Sequence, residues 1–433
     1  RVSPAPSPNV IAGSTVNFQV KVKGKAISSA IQVARVETWT SVNRVPRGRL
    51  VIYDGSPSQG TFPLSAGDTF LPGNEVEVAA AYDDQAKVPI FTGLIVKQGI
   101  EIDEAGASRL VVDLTDRALR MTLERKNEVF LKSKDSALIS RLIGDNGLKA
   151  KVTDSKVTLP EIVQYYASDW DLMVMRAELN GFVVVAEGGT VTVGPPDTSQ
   201  APVLTLTYGD SVLDLRAEMD AASQFDSSAI RSFTWDPAQQ KVVDAGPGAV
   251  RVTEPGNVSS ETLAKVFGVK QFTQQSAGTL EKGSLEGWSS AELLKSRLSK
   301  IRGWVRFQGS AKAVTGSMVE LAGLGGRFNG KAWVSGVHHS MEDGLWLTTA
   351  DFGLSPRWFA GEAPNISAPQ ASFQLPQEQG LQTGGVKGVA KDPGDEVRCE
   401  GYPEHPDEAR VQREEGRRLL AVTVVGDVEV PVV

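Results

Sequence analysis

The sequence is poor in the residues that most often perform chemistry in proteins. Its 433 residues include one cysteine, Cys399, and three histidines. A single cysteine excludes an intramolecular disulfide framework. His338 and His339 are neighbours in a predicted strand, where successive side chains point to opposite faces, so they cannot bind one metal ion together. His405 alone does not make a site. We therefore expect no metal site and no cofactor.

Long apolar runs and a strong excess of one charge are also missing. No segment approaches the roughly 18 apolar residues that span a bilayer. The net charge is −7, and residues 361–433, with thirteen acidic and seven basic residues, contribute −6 of it. The rest of the chain is nearly neutral, whereas a nucleic-acid binder carries a basic stripe and a membrane-attached protein a polybasic segment. We expect neither a nucleic-acid partner nor a stable membrane anchor.

Motifs of the common enzyme classes are absent or better explained as turns. No G-x-S-x-G nucleophile elbow occurs, and Cys399 lies in a proline- and charge-rich tail. Residues 323–326 are glycine-rich, but a predicted strand rather than a helix follows them, which indicates a turn and not a phosphate loop. Three carboxylate pairs could in principle serve glycoside hydrolysis, although the first two are flanked by turn-forming residues; they are Asp83-Asp84, Asp103-Glu104 and Glu414-Glu415. We expect no catalytic residue.

What the sequence has instead is repeated short β segments. Residues 16–22 alternate apolar and polar side chains, as a half-buried strand does. Similar segments, separated by glycine, proline and aspartate, lie at 31–39, 49–53, 75–80, 90–100 and 109–114. Successive strands without long intervening helices predict a closed or nearly closed antiparallel barrel.

A second group of β segments surrounds the most helical part of the chain. Its predicted strands lie at 203–208, 213–218, 229–236, 304–307, 318–321, 331–339 and 345–352. Between them, Ser259 or Ser260 can cap a short helix at 263–267, and Ser289-Ser290 is predicted to open a second helix. That second helix has Leu293, Leu294, Leu298 and Ile301 at helical spacing. This pattern indicates a second barrel with a helical insertion.

Residues 159–196 form a compact predicted unit of an extended entry at 162–166, a helix and a β-hairpin. Ser168 or Asp169 can cap the helix, and Asn180-Gly181 can end it, because both residues tolerate the left-handed conformation. The apolar positions of the helix are Trp170, Leu172, Met173, Met175 and Leu179. The hairpin strands, 182–186 and 190–193, are joined by Glu187-Gly188-Gly189.

This unit resembles a segment of the VgrG-type spike hubs of contractile injection machines, which include phage tails, type VI secretion systems and extracellular injection systems. QYYASDWDLMVMRAELNG is similar to the hub pattern Q-Y-x-x-S-D-x-x-F-x-x-R-L-x-E-x-x-G, although Leu172 replaces its aromatic residue and the arginine, Arg176, lies one position later. The residues of this segment are Gln164, Tyr165, Ser168, Asp169, Trp170, Asp171, Arg176, Glu178 and Gly181. Residues 135–143 resemble the short helix that precedes it in the hubs.

Two further segments carry the resemblance. Phe91 and Gly93 match the F-x-G-x-I strand of the hubs. The segments that resemble the entry to the oligonucleotide/oligosaccharide-fold (OB) neck contain Gly380, Leu381, Gln382, Thr383, Gly384, Asp392 and Pro393. Residues 398–433 do not continue the neck pattern, and the valine-glycine repeat of the family's needle is absent.

The resemblance implies a mainly β fold with α/β insertions, in which a tandem antiparallel β-barrel hub is followed by the start of an OB-fold neck. The expected divisions are a first barrel at 1–128, a helix–hairpin insertion at 129–200 and a second barrel at 201–359, with a helical insertion near 259–302. A linker at 360–379 and a partial or altered neck at 380–433 follow.

The function that the resemblance implies is mechanical and not enzymatic. A homotrimeric hub would join the inner tube to a membrane-piercing tip. The implied partners are a tube-initiating protein, baseplate proteins, a tip protein and effector cargo. Assembly would take place in the bacterial cytoplasm within a phage tail-like particle that acts on the target envelope. The resemblance leaves open which kind of machine this is.

Two alternatives from other classes remain at this stage. A carbohydrate-binding β module would use tryptophans as a platform, although we interpret them as core or subunit-interface residues; they are Trp170, Trp235, Trp304, Trp333 and Trp346. A cell-wall hydrolase would use one of the carboxylate pairs. Glycan affinity of exposed tryptophans would favour the first alternative, and turnover lost on changing one carboxylate would favour the second.

Overall fold

The computed structural model describes residues 5–10, 13–276 and 278–362 of the chain. Residues 16–115 supply seven strands: β1 (Val16–Val22), β2 (Lys25–Ala26), β3 (Val33–Ser41), β4 (Arg47–Tyr53), β5 (Glu75–Tyr82), β6 (Val88–Ile102) and β7 (Ser108–Thr115). In β1, Val20 and Val22 are buried while Lys21 between them is partly exposed. The predicted alternation of this strand is therefore confirmed.

Residues 117–194 form the first insertion. After a 3₁₀ helix (Arg117–Thr122), it contains β8 (Arg125–Lys134), α1 (Asp135–Asp145), β9 (Lys149–Val152), β10 (Thr158–Ser168), α2 (Asp169–Leu179), β11 (Val183–Glu187) and β12 (Thr190–Gly194). β8 and β10 pair as a two-stranded ribbon, and β11, β12 and β9 form a small sheet. Both pack on the buried face of α2, which includes Met173, Val174 and Ala177. The predicted helix and hairpin are confirmed.

The remaining elements run from residue 204 to residue 362. They are β13 (Leu204–Thr207), β14 (Val212–Met219), β15 (Ile230–Asp236), β16 (Lys241–Ala245), α3 (Ser260–Phe267), β17 (Phe272–Ser276), α4 (Lys282–Ser299), β18 (Ile301–Gln308), β19 (Met318–Ala322), β20 (Gly330–Glu342), β21 (Leu345–Phe352) and α5 (Phe359–Glu362). β16, β15 and β17 form a small sheet, on which α4 packs.

The first barrel is a sheet that curls back on itself. Its strand order is β21-β20-β3-β4-β7-β6-β5-β1. β21 and β5 are six pairings apart, which would separate them by about 29 Å in a flat sheet. The rings of Tyr82 on β5 and Trp346 on β21 nevertheless stack with their centroids 5.4 Å apart. The strands therefore enclose one apolar core, which contains Leu50, Ile52 and Phe70.

The second barrel closes through a short turn. Its strand order is β14-β18-β21-β20-β19-β13. A turn at residues 208–211 joins the two outermost strands, β13 and β14. In this turn the Ser211 amide donates to the Thr207 carbonyl at 2.9 Å. Its separate core includes Val305 and Phe307. β20 belongs to both barrels, because residues 330–333 pair with β19 and residues 336–342 pair with β3. The predicted mainly β fold with α/β insertions is confirmed.

Two sequence-based boundaries are wrong. α4 begins at Lys282 rather than after Ser289-Ser290. Ser289 lies inside the helix, where its buried hydroxyl donates to the Ala245 carbonyl and contacts Ser232, so it does not act as a cap. Ile301 is the first residue of β18 and not part of the helix. By contrast, Ser259 does cap α3.

Residues 323–326 form a turn ahead of β20, as the sequence indicates, although β20 begins at Gly330. The predicted OB neck at 380–433, with its residues Gly380, Leu381, Gln382, Thr383, Gly384, Asp392 and Pro393, lies outside the described residues. Most of the predicted linker does as well.

Candidate functional site: the motif around the central helix

Ser168 and Asp171 fix the first turn of α2. The Ser168 hydroxyl accepts the Asp171 amide at 3.1 Å and donates to the Asp171 carboxylate at 2.7 Å. This exchange satisfies an amide that has no partner within the helix. The two residues therefore set where α2 begins.

Asp169 and Gln164 tie α2 to the ribbon and to the end of α1. The buried Asp169 carboxylate accepts hydrogen bonds from Lys126 Nζ at 2.7 Å, Asn146 Nδ2 at 2.7 Å and Gln164 Nε2 at 3.0 Å. Gln164 also donates to the Ala167 carbonyl at 2.9 Å. Burial alone would raise the pKa of Asp169, but the hydrogen bonds from Gln164, Lys126 and Asn146 outweigh it and hold the pKa below its usual value.

Arg176 connects the far end of α2 with the start of α1. Its guanidinium donates to both oxygens of Asp135, at 2.6 and 3.0 Å, and Asn180 Nδ2 donates to the same carboxylate at 2.8 Å. A paired guanidinium and carboxylate of this kind fixes orientation as well as distance. The two helices are therefore held at a set angle.

Glu178 joins four parts of the chain. Its buried carboxylate accepts from Lys295 Nζ on α4 at 2.8 Å, from the Phe359 amide at 2.7 Å and from Asn43 Nδ2, next to β3, at 3.4 Å. Lys295 is buried as well. We call Glu178, Lys295, Asn43 and Phe359 the central junction. It links both insertions, the first barrel and the segment after β21.

The other motif residues have different surroundings. Trp170 is buried in the core around α2. Gly181 has φ +69°, and a Cβ there would lie 3.4 Å from Leu294 on α4. Phe91 is buried in the first barrel, where a Cβ on Gly93 would approach its ring to 2.9 Å. Tyr165 is 55% exposed. The motif is thus mainly a set of packing and pairing residues.

Sequence reasoning missed the partners of the motif residues. Lys126, Asn146 and Lys295 belong to no motif, and Lys295 is 117 positions away from Glu178. The same holds for a second ion pair, in which Nζ of the buried Lys300 lies 2.7 Å from the partly buried Glu254. Lys295 lies among Leu293, Leu294 and Leu298 on α4, and this apolar surrounding is the local signal that it needs a partner, but it does not identify that partner.

One exposed surface of the first insertion carries a row of apolar side chains, beside the exposed Glu161 that pairs with Leu131. On the outer face of the ribbon, Val129 and Val163 are directly paired and are 53% and 50% exposed. Next to them, Leu131 is 70% exposed, and Tyr165 continues the row. Phe130 and Ile162 on the other face pack into the core. A contiguous apolar row of this kind marks a surface suited to a protein contact.

The histidines are separated as expected. His338 stacks on Trp39 with ring centroids 4.9 Å apart and lies 3.6 Å from Glu37. His339 is buried on the opposite face, beside the Thr348 hydroxyl at 2.9 Å, and burial lowers its pKa to about 3. Among the described residues, no group of three or more His, Cys, Asp and Glu side chains could hold a metal ion.

Two small cavities lie beside the paired charges of the insertions. Two cavities, one beside Glu178 and Lys295 and one beside Glu254 and Arg297, have volumes of about 10 Å³, which is room for about one water molecule. Asp83-Asp84 and Asp103-Glu104 lie at the β5–β6 and β6–β7 turns, and Glu414-Glu415 lies outside the described residues. Within the described ranges, no helix is both long enough and apolar enough to span a membrane.

The tryptophans do not share one surface environment. Trp170, Trp333 and Trp346 are buried, Trp304 is partly buried, and Trp235 is 49% exposed. Three of the five are therefore core residues, as expected from the sequence.

Two solved structures with a similar fold are tail proteins. The chain is similar to the 43 kDa tail protein of prophage MuSo2 from Shewanella oneidensis, with 12% identity, a TM-score of 0.56, and 79% of this chain and 99% of that chain covered. It is similar to a tail protein from Neisseria meningitidis MC58, with 16% identity, a TM-score of 0.56, and 79% and 98% covered. The similarity to the E. coli c3393 protein, a type VI secretion component, has a TM-score of 0.46, with 12% identity and 88% and 89% covered.

The likeness to tail proteins agrees with the resemblance to spike hubs and confirms it at the level of the fold. No curated protein sequence matches the chain. The sequence model described as the Alg8 N-terminal domain matches residues 12–343, which is more than half of the chain. The chain therefore belongs to the Alg8 N-terminal domain family.

Proposed function

We propose that this protein is a structural hub of a contractile injection particle and has no enzymatic activity. The observation that carries the proposal is the likeness to two tail proteins over 98–99% of their length. The packing agrees with a mechanical role, because the motif residues connect separate elements of the fold.

The proposed hub is a homotrimer. It joins the inner tube and its initiating protein to a tip protein with effector cargo, and baseplate proteins hold it. The exposed row of Val129, Leu131, Val163 and Tyr165 supports an assembled state, since contiguous apolar rows on a surface often mark protein contacts. The particle assembles in the bacterial cytoplasm and acts on a target envelope. We propose the divisions given from the sequence as the working domain map, with the start of the first insertion moved to residue 117, because β8 pairs with β10 of that insertion.

The rigid construction of the junction supports this role. A hub transmits the work of the contracting sheath and must keep its shape while doing so. Buried, paired charges such as Glu178 and Lys295 have one favourable arrangement, because any displacement leaves a charge without a partner. Such contacts resist sliding better than apolar contacts, which are not directional.

The solution mass tests the trimer. Light scattering over a dilution series should give about three times 46.3 kDa, with no dissociation at micromolar concentrations. A chain that stays at 46.3 kDa throughout would contradict the homotrimer. Imaging of particles carrying a labelled chain then tests the hub itself: the label should lie at one end of the tube, and label along the sheath would contradict the proposal.

A further inference from the structure

The segment after β21 is attached to the rest of the protein at several points. We call residues 353–362 the exit strap. The Gly353 amide donates to the Trp333 carbonyl and the Leu354 amide to the Leu298 carbonyl, both at 3.0 Å. Leu354 is buried in a small apolar cluster with Leu298 and Trp333. The first residues of the strap are therefore fixed to β20 and to the end of α4.

The second half of the strap is fixed by buried charges. Trp358 Nε1 donates to Glu292 on α4 at 2.8 Å, and Lys295 Nζ lies 5.2 Å from the centroid of the Trp358 ring. The Phe359 amide donates to Glu178 on α2 at 2.7 Å. The Phe359 side chain packs against the core around α2. The strap therefore contacts helices from both insertions.

These contacts depend on one another. Lys295 pairs with Glu178, and Glu292 accepts a further hydrogen bond from Gln274 on β17 at 3.0 Å. Glu178, Glu292 and Lys295 are all buried. Removing one partner leaves another buried charge uncompensated, so the strap contacts should be lost together rather than singly.

The strap lies where the chain leaves the second barrel. Without it, tension on residues after Glu362 would reach the end of β21 directly. Hydrogen bonds between strands that are loaded from one end break one after another. With the strap in place, the same tension first meets charged and apolar contacts with α2 and α4.

We propose that the exit strap is a mechanical clamp, which transfers tension on the C-terminal side of the chain to α2 and α4 and protects β21 from being peeled away. The need for such a clamp rests on the proposed hub function, whereas its existence rests on the contacts of Trp358 and Phe359 alone.

Trypsin can measure opening of the strap in the full-length chain, because the exposed Arg357 lies directly before Trp358. Cleavage there requires local opening and yields a fragment ending at Arg357, which mass spectrometry identifies. Trp358→Phe removes the donor to Glu292 and should speed this cleavage about tenfold, which corresponds to about 1.4 kcal/mol. Cleavage after Arg327, in an exposed turn, is the internal control and should not change.

Trp235→Phe is the matched control variant, because it makes the same substitution at a tryptophan outside the strap. It should leave the Arg357 cleavage rate within twofold of the wild type. Circular dichroism shows whether each variant is folded. Hydrogen exchange at the Leu354 and Phe359 amides gives a second measurement, and Trp358→Phe should speed exchange at Phe359 about tenfold.

The mechanical role of the exit strap is tested by pulling single molecules. The only cysteine of the chain, Cys399, follows the strap and allows one handle to be attached, with the other at the N-terminus. Trp358→Phe should lower the force of the first unfolding event, and Trp235→Phe should not. Unchanged cleavage or unchanged force in Trp358→Phe would overturn the clamp. A monomeric mass in light scattering would instead count against the proposed trimer.

Discussion

The first barrel and the central junction are held together by different kinds of interaction. The barrel core is apolar, with Leu50, Ile52 and Phe70 fully buried, and its stability comes from area removed from water. The central junction buries Glu178 and Lys295 and depends on their hydrogen bonds. Apolar packing tolerates a substitution of similar volume. In a buried ion pair, replacing one partner is strongly destabilising, whereas replacing both partners together is tolerated. The barrel supplies bulk stability, and the junction determines how the parts are joined.

The largest effect is expected at the junction. Lys295→Met keeps the length of the side chain but leaves Glu178 buried without a cation. It should lower the free energy of unfolding by about 3–5 kcal/mol, measured by urea denaturation. The double variant Glu178→Gln/Lys295→Met removes both charges and keeps an acceptor for the Phe359 amide. The double variant should lose clearly less free energy of unfolding than the single variant. Equal losses would contradict the role given to the unpaired charge of Glu178.

A core substitution in the first barrel sharpens the contrast. Leu50 is 0% exposed, so Leu50→Ala should cost about 2–5 kcal/mol through lost burial and a new cavity. Because no charge is involved, the loss should be the same from pH 5 to pH 8. Leu123→Ala, at a leucine that is 73% exposed, is the control and should stay within about 0.5 kcal/mol. A pH-dependent loss in Leu50→Ala would undermine the distinction between the two regions.

Two buried carboxylates should give opposite responses to pH. Asp169 has a lowered pKa in the folded protein. Its contribution to stability is therefore present above the pKa of about 3.9 that it has in the unfolded chain, and is lost as the pH falls through its folded pKa. Burial raises the pKa of Glu292, so stability falls as the pH rises from about 4.3 towards its folded pKa. The midpoint of urea unfolding is measured from pH 3 to pH 7. In Asp169→Asn, the decrease in stability at the acid end of this range should disappear. In Glu292→Gln, the decrease in stability with rising pH should disappear. The same slopes in wild type and variants would contradict both assignments.

The smallest effect is expected at the start of α2. Ser168→Ala removes the acceptor of the Asp171 amide and should cost about 1 kcal/mol in thermal or urea unfolding. Ser168→Asp restores an acceptor and should recover most of the loss. Ser58→Ala, at an exposed serine outside the helices, should have almost no effect. A loss as large as that of Lys295→Met would mean that Ser168 does more than cap the helix.

The elements that could be predicted were those whose signals are local. Ser168, Asn180 and Gly181 mark the ends of α2 within the sequence itself, and the alternation of residues 16–22 marks β1. The start of α4 was predicted wrongly because Ser289-Ser290 looks like a cap, while the helix in fact continues through it. Ser289 is accommodated there by Ser232 and Ala245, which are distant in sequence. Tertiary hydrogen bonds thus override a local signal.

The sequence by itself determined most strands of the two barrels and the helix–hairpin unit, because periodicity and caps act over a few residues, and its resemblance to the spike hubs supplied the residues of the motif. Strands β2, β8, β9, β16 and β17 were not predicted. Only the tertiary structure decided that β20 is shared by two barrels, that Glu178 pairs with Lys295, and that Trp358 and Phe359 fasten the exit strap. Each of these depends on contacts between residues far apart in the chain. A buried charge shows in the sequence that a partner is needed, but the fold alone brings that partner to it.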